Sequence, residues 1–244
     1  MRVAILADIH ANLTAFEAVL ADAAQRGGVN EFWCLGDVVG YGPDPHECIA
    51  LLQKVCKVRV AGNHDRAAAG KIDTADFNPQ AAEANEWTSQ QLTPQDINYL
   101  TNLPLSIEKG EFTLVHGSPR DPIWEYLFSV TEAAENLEAF STPYCFVGHT
   151  HQPLVFTFGR RKEGGVTKLE HESEVVLAEK RLILNPGGIG QPRDGDPRAS
   201  YGIYDSSIRT FTLYRVAYDI TAVQERMREH GLPAMLIARL EVGR

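Results

Sequence analysis

"RVAILADIHANLTAFEAVLADAAQRGG", residues 2–28, changes its hydrophobic period once, and that change sets the fold class. Its first seven residues are a short apolar run of the β type. From residue 12 the apolar positions Leu13, Phe16, Val19 and Leu20 follow the period of an amphipathic helix. Thr14 and Glu17 make a capping-box pattern, and Gly27–Gly28 is a stop signal. The alternation then continues. EFWCLGD (31–37) reads as a second strand, PHECIALLQKV (45–55) as a helix opened by Pro45, and KVRVAGNHD (57–65) as a third strand. A β-α-β-α-β start predicts a parallel sheet covered by helices.

Beyond residue 65 the character shifts. NPQAAEANEWTSQQL and TPQDINYLTNL read as two helices with Pro79 and Pro94 near their starts, a helical insert over about residues 66–104. Strands dominate afterwards, in LSIEKGEFTLVHG, YCFVGHTHQPLVFTFG, KRLILNPGG and SYGIYDSSIRTFTLYRV. The helical pattern TEAAENLEAF (131–140) interrupts them, and a helical tail begins at Asp219. Gly164–Gly165 reads as a hairpin turn. LEHESEVVLAEK reads as a solvated strand or hairpin edge. No repeat or linker breaks the 244 residues, which are expected to form one domain.

Composition narrows the function classes. The chain is 44% hydrophobic and 23% charged, as globular proteins are. It has no apolar run long enough to span a bilayer and no signal-peptide pattern, so a cytoplasmic protein is expected. A net charge of −9 argues against a stable nucleic-acid complex or a membrane-surface binder, while leaving room for a local positive site. The four cysteines form no C-x-x-C pair, and Cys34 and Cys145 lie in apolar runs, as core residues do.

Polar clusters end five of the apolar runs: Asp8–Ile9–His10, Gly36–Asp37, Gly62–Asn63–His64–Asp65, His116–Gly117 and Gly148–His149–Thr150–His151. Five of the eight histidines lie in them, where α/β sheets collect ligands at the carboxyl ends of strands. In an extended segment residues i and i+2 project to one side, so Asp8 and His10 are expected to face one ion, as are His149 and His151. Imidazole with carboxylate suits Mn, Fe or Zn. Seven ligands exceed the needs of one such ion and suffice for two if Asp37 bridges. Two divalent cations against two carboxylates and a bridging hydroxide leave a net charge of about +1, a hole suited to phosphate. Two-metal sites with ions about 3.5–4 Å apart stabilise the attacking and leaving oxygens of an in-line displacement.

As an ordered set, D8-x-H10, G36-D37, G62-N63-H64-D65, H116-G117 and G148-H149-T150-H151 resemble the calcineurin-like metallophosphoesterase superfamily. LNPGGIGQPRDGDPRASYGIYD (184–205) further resembles its small bacterial and archaeal phosphodiesterases, so the likeness extends over most of the chain. The resemblance implies a four-layer α/β/β/α sandwich of two mixed sheets. It implies that Asp8, His10, Asp37 and His151 bind one metal and that Asp37, Asn63, His116 and His149 bind the other. A metal-bridging hydroxide would attack phosphorus directly. His64 would stand by the leaving oxygen, and Asp65 would fix the His64 ring by accepting a hydrogen bond, as carboxylates behind such rings do.

The substrate is therefore expected to be a small phosphate ester or nucleotide, with a phosphodiester or a nucleotide pyrophosphate-type bond first. A phosphomonoester and a dinucleoside polyphosphate are the alternatives. GDVVGYG lacks the Asp–Arg of the family's protein phosphatases, and residue 65 is Asp where they carry Glu. A non-catalytic scaffold of the same fold is disfavoured, because every ligand position and His64 are present. Around the cluster, Asn12 is a helix cap or a substrate contact, and Tyr41 is a candidate for the cleft. Arg193 and Arg198 offer forks for phosphate, although Asp194 and Asp196 are near enough to pair with both. His46, His171 and His230 read as surface groups, Trp33 and Trp87 as packing. The insert is expected to form one wall of the cleft.

Overall fold

The structure is a computed structural model that describes residues 1–159, 164–178 and 180–244. Its first half runs β1 (Arg2–Leu6), α1 (Leu13–Gln25), β2 (Glu31–Cys34), α2 (Pro45–Val55), β3 (Val58–Arg59), α3 (Asn63–Ala68), α4 (Pro79–Gln91) and α5 (Pro94–Thr101). Then come β4 (Ser106–Lys109), β5 (Phe112–Val115), α6 (Val130–Glu135) with a 3-10 turn at Asn136–Glu138, β6 (Tyr144–Phe146), β7 (Pro153–Phe158) and β8 (Gly164–Lys168). The chain ends with β9 (Glu174–Val176), β10 (Arg181–Pro186), β11 (Ala199–Asp205), β12 (Thr210–Val216), α7 (Ile220–Glu229) and α8 (Ala234–Val242).

Two six-stranded mixed sheets result, ordered β3-β2-β1-β11-β12-β9 and β4-β5-β6-β10-β7-β8. In the first, β1 pairs parallel with β2 and antiparallel with β11. The period of two along each strand builds the layers. Val3 and Ile5 of β1 face Phe112, Phe146 and Leu184 of the other sheet, in a core between the sheets. Ala4 and Leu6 face Phe16 and Val19 of α1 and Ile49 and Leu52 of α2. On the second sheet Cys145 and Ile183 face outward onto Ala133 and Leu137. The expected α/β/β/α sandwich is thereby present. Helices α4, α7 and α8 add a further apolar cluster through Ala84, Met227 and Leu236.

Local expectations meet three corrections. The cap of α1 is Asn12, whose Oδ1 accepts from the Ala15 N–H, so Thr14 lies inside the first turn and serves Arg226 instead. β3 is only two residues long, and Asn63, His64 and Asp65 open α3 rather than end a strand. Gly164 and Gly165 sit within β8, opposite Phe158 and Thr157, and the connection before them lies outside the described residues. Pro79 and Pro94 do open α4 and α5, behind the capping side chains of Asn78 and Thr93. β9 is an exposed sheet edge, and the four cysteines are free and buried. Trp33 is buried, and Trp87 packs beside the α4–α7–α8 cluster.

Candidate metal centre

The polar clusters follow β1, β2, β3, β5 and β6, in loops except for Asn63, His64 and Asp65, which open α3. Their backbone is not extended. Asp8 (φ 54°), His10 (48°), Asp37 (51°), His149 (65°) and His151 (55°) all adopt the left-handed region. Tight turns thus replace the expected strand pleating, and they bring Asp8 and His10 into one ligand group but part His149 from His151, which were expected to face one ion. Such backbone costs about 1–3 kcal/mol per non-glycine residue and persists only when surroundings enforce it. Here the loops are laced together. Asp8 N donates to Gly36 O (3.1 Å), His10 N to Asp37 O (2.9 Å), Gly148 N to His116 O (2.8 Å) and Gly190 N to Asp8 O (2.9 Å).

Two groups of buried ligand atoms form. Asp8, His10, Asp37 and His151 bring theirs within 4.8 Å of one another, as do Asp37, His116 and His149. Asp37 belongs to both, with Oδ2 at 3.5 Å from His10 Nε2 and 3.3 Å from His116 Nε2. Asn63 Oδ1 is 3.1 Å from His116 Nε2. All seven expected ligands are therefore together.

The proton inventory tests whether this cluster fits cations. His10 Nδ1 faces Val39 O, His116 Nδ1 faces Leu35 O, and His151 Nδ1 faces Gln191 O. A carbonyl only accepts, so each Nδ1 carries the proton and each Nε2 is a lone pair when the ring is neutral. Yet His10 Nε2 and His151 Nε2 face each other at 3.1 Å. His116 Nε2 meets His149 Nδ1 at 3.1 Å, a contact that a proton on Nδ1 satisfies. Asp8 Oδ2, Asp37 Oδ2 and His149 Nε2 are buried without a hydrogen-bond partner. Converging lone pairs repel unless a cation lies among them, and the backbone carbonyls behind the rings are what metal-binding histidines use to fix orientation. The residues fit divalent metal ions, with Asp37 within reach of both ligand groups.

Electrostatics agree. Burial lowers His10, His149 and His151, which leaves them neutral at pH 7. Burial raises Asp8 to about 7. At Asp37 burial also pushes upward, but His116, His64 and His10 outweigh it and hold the carboxyl far below its ordinary value. Burial would lower His116, but Asp37 raises it to about 9. The site thus demands positive charge beside Asp37.

His64 lines the cleft, buried and lowered to about 4 by desolvation. Gly40 (φ 88°) lies flat against its ring, where any Cβ would collide with Nδ1. Asp65 does not hold that ring. Its Oδ1 accepts from Val38 N (2.9 Å) and Val39 N (3.2 Å), and its Oδ2 from Gly62 N (3.0 Å), because the third residue of α3 points back over the helix start. Asp65 fastens the loop that carries Asp37. The group beside the His64 ring is Asn85 of α4, whose Nδ2 donates to His64 O (3.1 Å) and lies 3.4 Å from His64 Nδ1. No spacing in the sequence pointed to Asn85.

Tyr41 and Arg193 reach the cleft, with Arg193 Nη2 donating to Tyr41 Oη at 3.2 Å. Asn12 does not. Its Oδ1 caps α1 and its Nδ2 donates to Gly190 O, so both ends are occupied in the core. Arg198 is also elsewhere, held on Asp196 two residues away. Phe77, Asn78 and Ala81 make the insert one wall of the cleft, as expected. Trp124 and Tyr126 form part of the rim, and Tyr126 stacks on His149 with ring centres 3.8 Å apart. The aromatic stretch IWEYLF (123–128) was their only signal.

Sandwich and site together define a metallophosphoesterase scaffold, and the chain belongs to the calcineurin-like phosphoesterase superfamily, whose domain matches residues 1–208. An uncharacterized protein of Methanocaldococcus jannaschii is 39% identical over 248 residues, covering 99% of this chain and 98% of that one. The crystal structure of a metallophosphoesterase from Sphaerobacter thermophilus superposes with a TM-score of 0.91 at 45% identity, covering 100% of this chain and 99% of that one. A hypothetical protein of Pyrococcus horikoshii OT3 shares the fold at 20% identity, with a TM-score of 0.79 over 100% of this chain and 98% of that one.

Proposed function

We propose that this protein is a dinuclear metal-dependent phosphoesterase acting on phosphodiesters. The observation that carries the reading is the facing imidazole lone pairs of His10 and His151 beside an Asp37 that belongs to both ligand groups. Asp8, His10, Asp37 and His151 would hold one ion, and Asp37, Asn63, His116 and His149 the other, with Mn, Fe or Zn all compatible. Such ions supply Lewis-acid activation of water and stabilise charge on phosphoryl oxygens.

The chain's own groups do the rest. Arg193 offers its guanidinium to a phosphoryl oxygen, steadied by Tyr41. His64 is neutral, and with Nδ1 toward the Asn85 amide its Nε2 carries the proton. That N–H hydrogen-bonds to the leaving oxygen and stabilises the charge that develops there. The small cleft, about 80 Å³, excludes bulk water from the reacting phosphoryl group. The absence of the protein phosphatases' Asp–Arg supports a small diester over a phosphoprotein. No described helix is long and apolar enough to cross a membrane. With four free buried thiols, this supports a cytoplasmic setting.

The test is reconstitution of metal-stripped protein with Mn, Fe or Zn, followed by assay on phosphodiester, phosphomonoester, cyclic-nucleotide and dinucleoside-polyphosphate substrates. Two ions per chain and fastest turnover of a diester are expected. Asp37→Asn is expected to lower metal content, measured by elemental analysis. No hydrolysis with any metal would overturn the reading.

A further inference from the structure

Arg193 and Arg239 flank a single amide. Arg193 Nη2 and Arg239 Nη1 each donate to Gln191 Oε1 at 3.1 Å, so these nitrogens are separated by twice that distance at most. Among the described residues neither guanidinium pairs with a carboxylate side chain. The nearby acids are taken, Asp194 by Arg215 and Lys168, and Asp196 by Arg198. Arg239 Nε donates to the main-chain oxygen of Arg244. Gln191 is 1% exposed, yet its Nε2 has no acceptor, and neither has the buried Nε of Arg193. Buried donors without acceptors are costly and call for a missing partner. The guanidinium of Arg193, paired with no acid among the described residues, and the unsatisfied amide of Gln191 call for an anion, with Arg239 beside them.

Position gives the anion its identity. Arg193 lines the metal cleft, which admits a phosphoryl group and little more. Arg239 lines an adjoining cavity of about 550 Å³ with Met235, Leu236 and Arg244, and Asn78 borders both spaces. For a substrate whose reacting phosphorus lies in the cleft, the cavity lined by Arg239 offers room beyond Arg193 for the rest of the molecule. Two guanidinium groups so close match two phosphoryl groups in succession. Arg239 lies on α8, beyond residue 208 where the superfamily domain match ends.

We propose that Gln191, Arg193 and Arg239 form a second anion subsite. The preferred substrates carry a second phosphoryl group joined directly to the reacting one, as in esters of nucleoside diphosphates, with the organic group directed into the outer cavity. This rests on the phosphoesterase reading of the neighbouring cleft. In the reaction the oxygen of water bonds to phosphorus, the P–O bond to the alcohol breaks, the alcohol oxygen keeps that electron pair, and the proton that water gives up ends on it.

The test compares the p-nitrophenyl esters of thymidine 5′-monophosphate and thymidine 5′-diphosphate, which differ by one phosphoryl group, with the products separated by chromatography. The wild-type enzyme is expected to favour the diphosphate ester in kcat/KM by about tenfold or more, the effect of one charge-assisted contact. Arg239→Leu should bring the ratio near unity through KM, and Arg239→Lys should leave an intermediate preference. No preference in the wild type, or a preference untouched by Arg239→Leu, would overturn the subsite. Should Arg239→Leu not fold, a preference undiminished in Arg239→Lys overturns it instead. If no metal supports hydrolysis of either ester, the phosphoesterase reading falls while the subsite is still judged by calorimetry on the same proteins. Tighter binding of the diphosphate ester, lost in Arg239→Leu, supports it, and equal binding of the two esters overturns it.

Discussion

His64 does its work through one nitrogen, and its neighbours choose which. Asn85 sits at Nδ1 and leaves the proton on Nε2. His64→Ala is expected to keep both metals and lose about 10²–10⁴-fold in kcat, the usual worth of a proton-donating group. Near-wild-type turnover in the metal-loaded variant would exclude that role. Asn85 is a positioning residue. Asn85→Leu, close in size, should lower kcat by about 10–100-fold, as loss of such supporting partners does, with unchanged metal content and a shifted pH profile. Unaltered kcat and pH profile would remove Asn85 from the mechanism. Adjacency favoured Asp65 for this duty, and helix geometry defeats it. As the third residue of α3, Asp65 returns its carboxylate to Gly62 N and across to the Val38 and Val39 amides. The partner that does approach the ring lies 21 residues away, in a helix with no chemical motif.

Elements divide by how local their causes are. Helices α4 and α5 were legible because Pro at the first position and Asn or Thr before it act within one turn. The metal-site loops were legible in composition but not in conformation. Five left-handed residues depend on hydrogen bonds from distant loops, which no local pattern encodes. The contact between α2 and α5 shows how such non-local pairing behaves with pH. Asp96 Oδ2 accepts from Thr93 N (2.9 Å), Thr93 Oγ1 (2.6 Å) and His46 Nδ1 (2.9 Å). The bond to Asp96 raises His46 above 6.5. Burial would raise Asp96, but the Thr93 and His46 bonds hold it below 3.8. The raised histidine contributes stability that is full below pH 6.5 and is lost as pH climbs through its folded value. The lowered carboxyl contributes above pH 3.8 and loses it as pH falls through its own. The pair therefore works best between these limits. His46→Asn should cost about 0.2–1 kcal/mol at pH 5.5, as expected of a half-exposed pair, and nothing measurable at pH 9. Urea midpoints at the two pH values check this, and equal losses would refute the ion pair.

At the scale of the molecule, the ligands come from both sheets. Asp8, His10, Asp37 and Asn63 follow strands of the first sheet, while His116, His149 and His151 follow strands of the second. Between them lies only the apolar core, where Trp33, Phe112 and Phe146 meet without direction or charge. Bound cations would tie the two sheets together at one edge of that seam, and the unfolded chain has no such preformed set. Ligand binding to the folded state alone contributes about 2.7 kcal/mol at a hundred times Kd. For a chain of this length that corresponds to a rise in Tm of about 5–11 °C. Chelation should reverse the rise. Asp37→Asn, which breaks the shared position, should forfeit most of the gain while leaving the melting of the metal-free protein within a few degrees. Scanning calorimetry of stripped and metal-loaded protein measures both quantities. A metal-independent Tm in the wild type would mean that the lone pairs facing one another across the seam are tolerated without cations, and the metal-centre reading would fail with it.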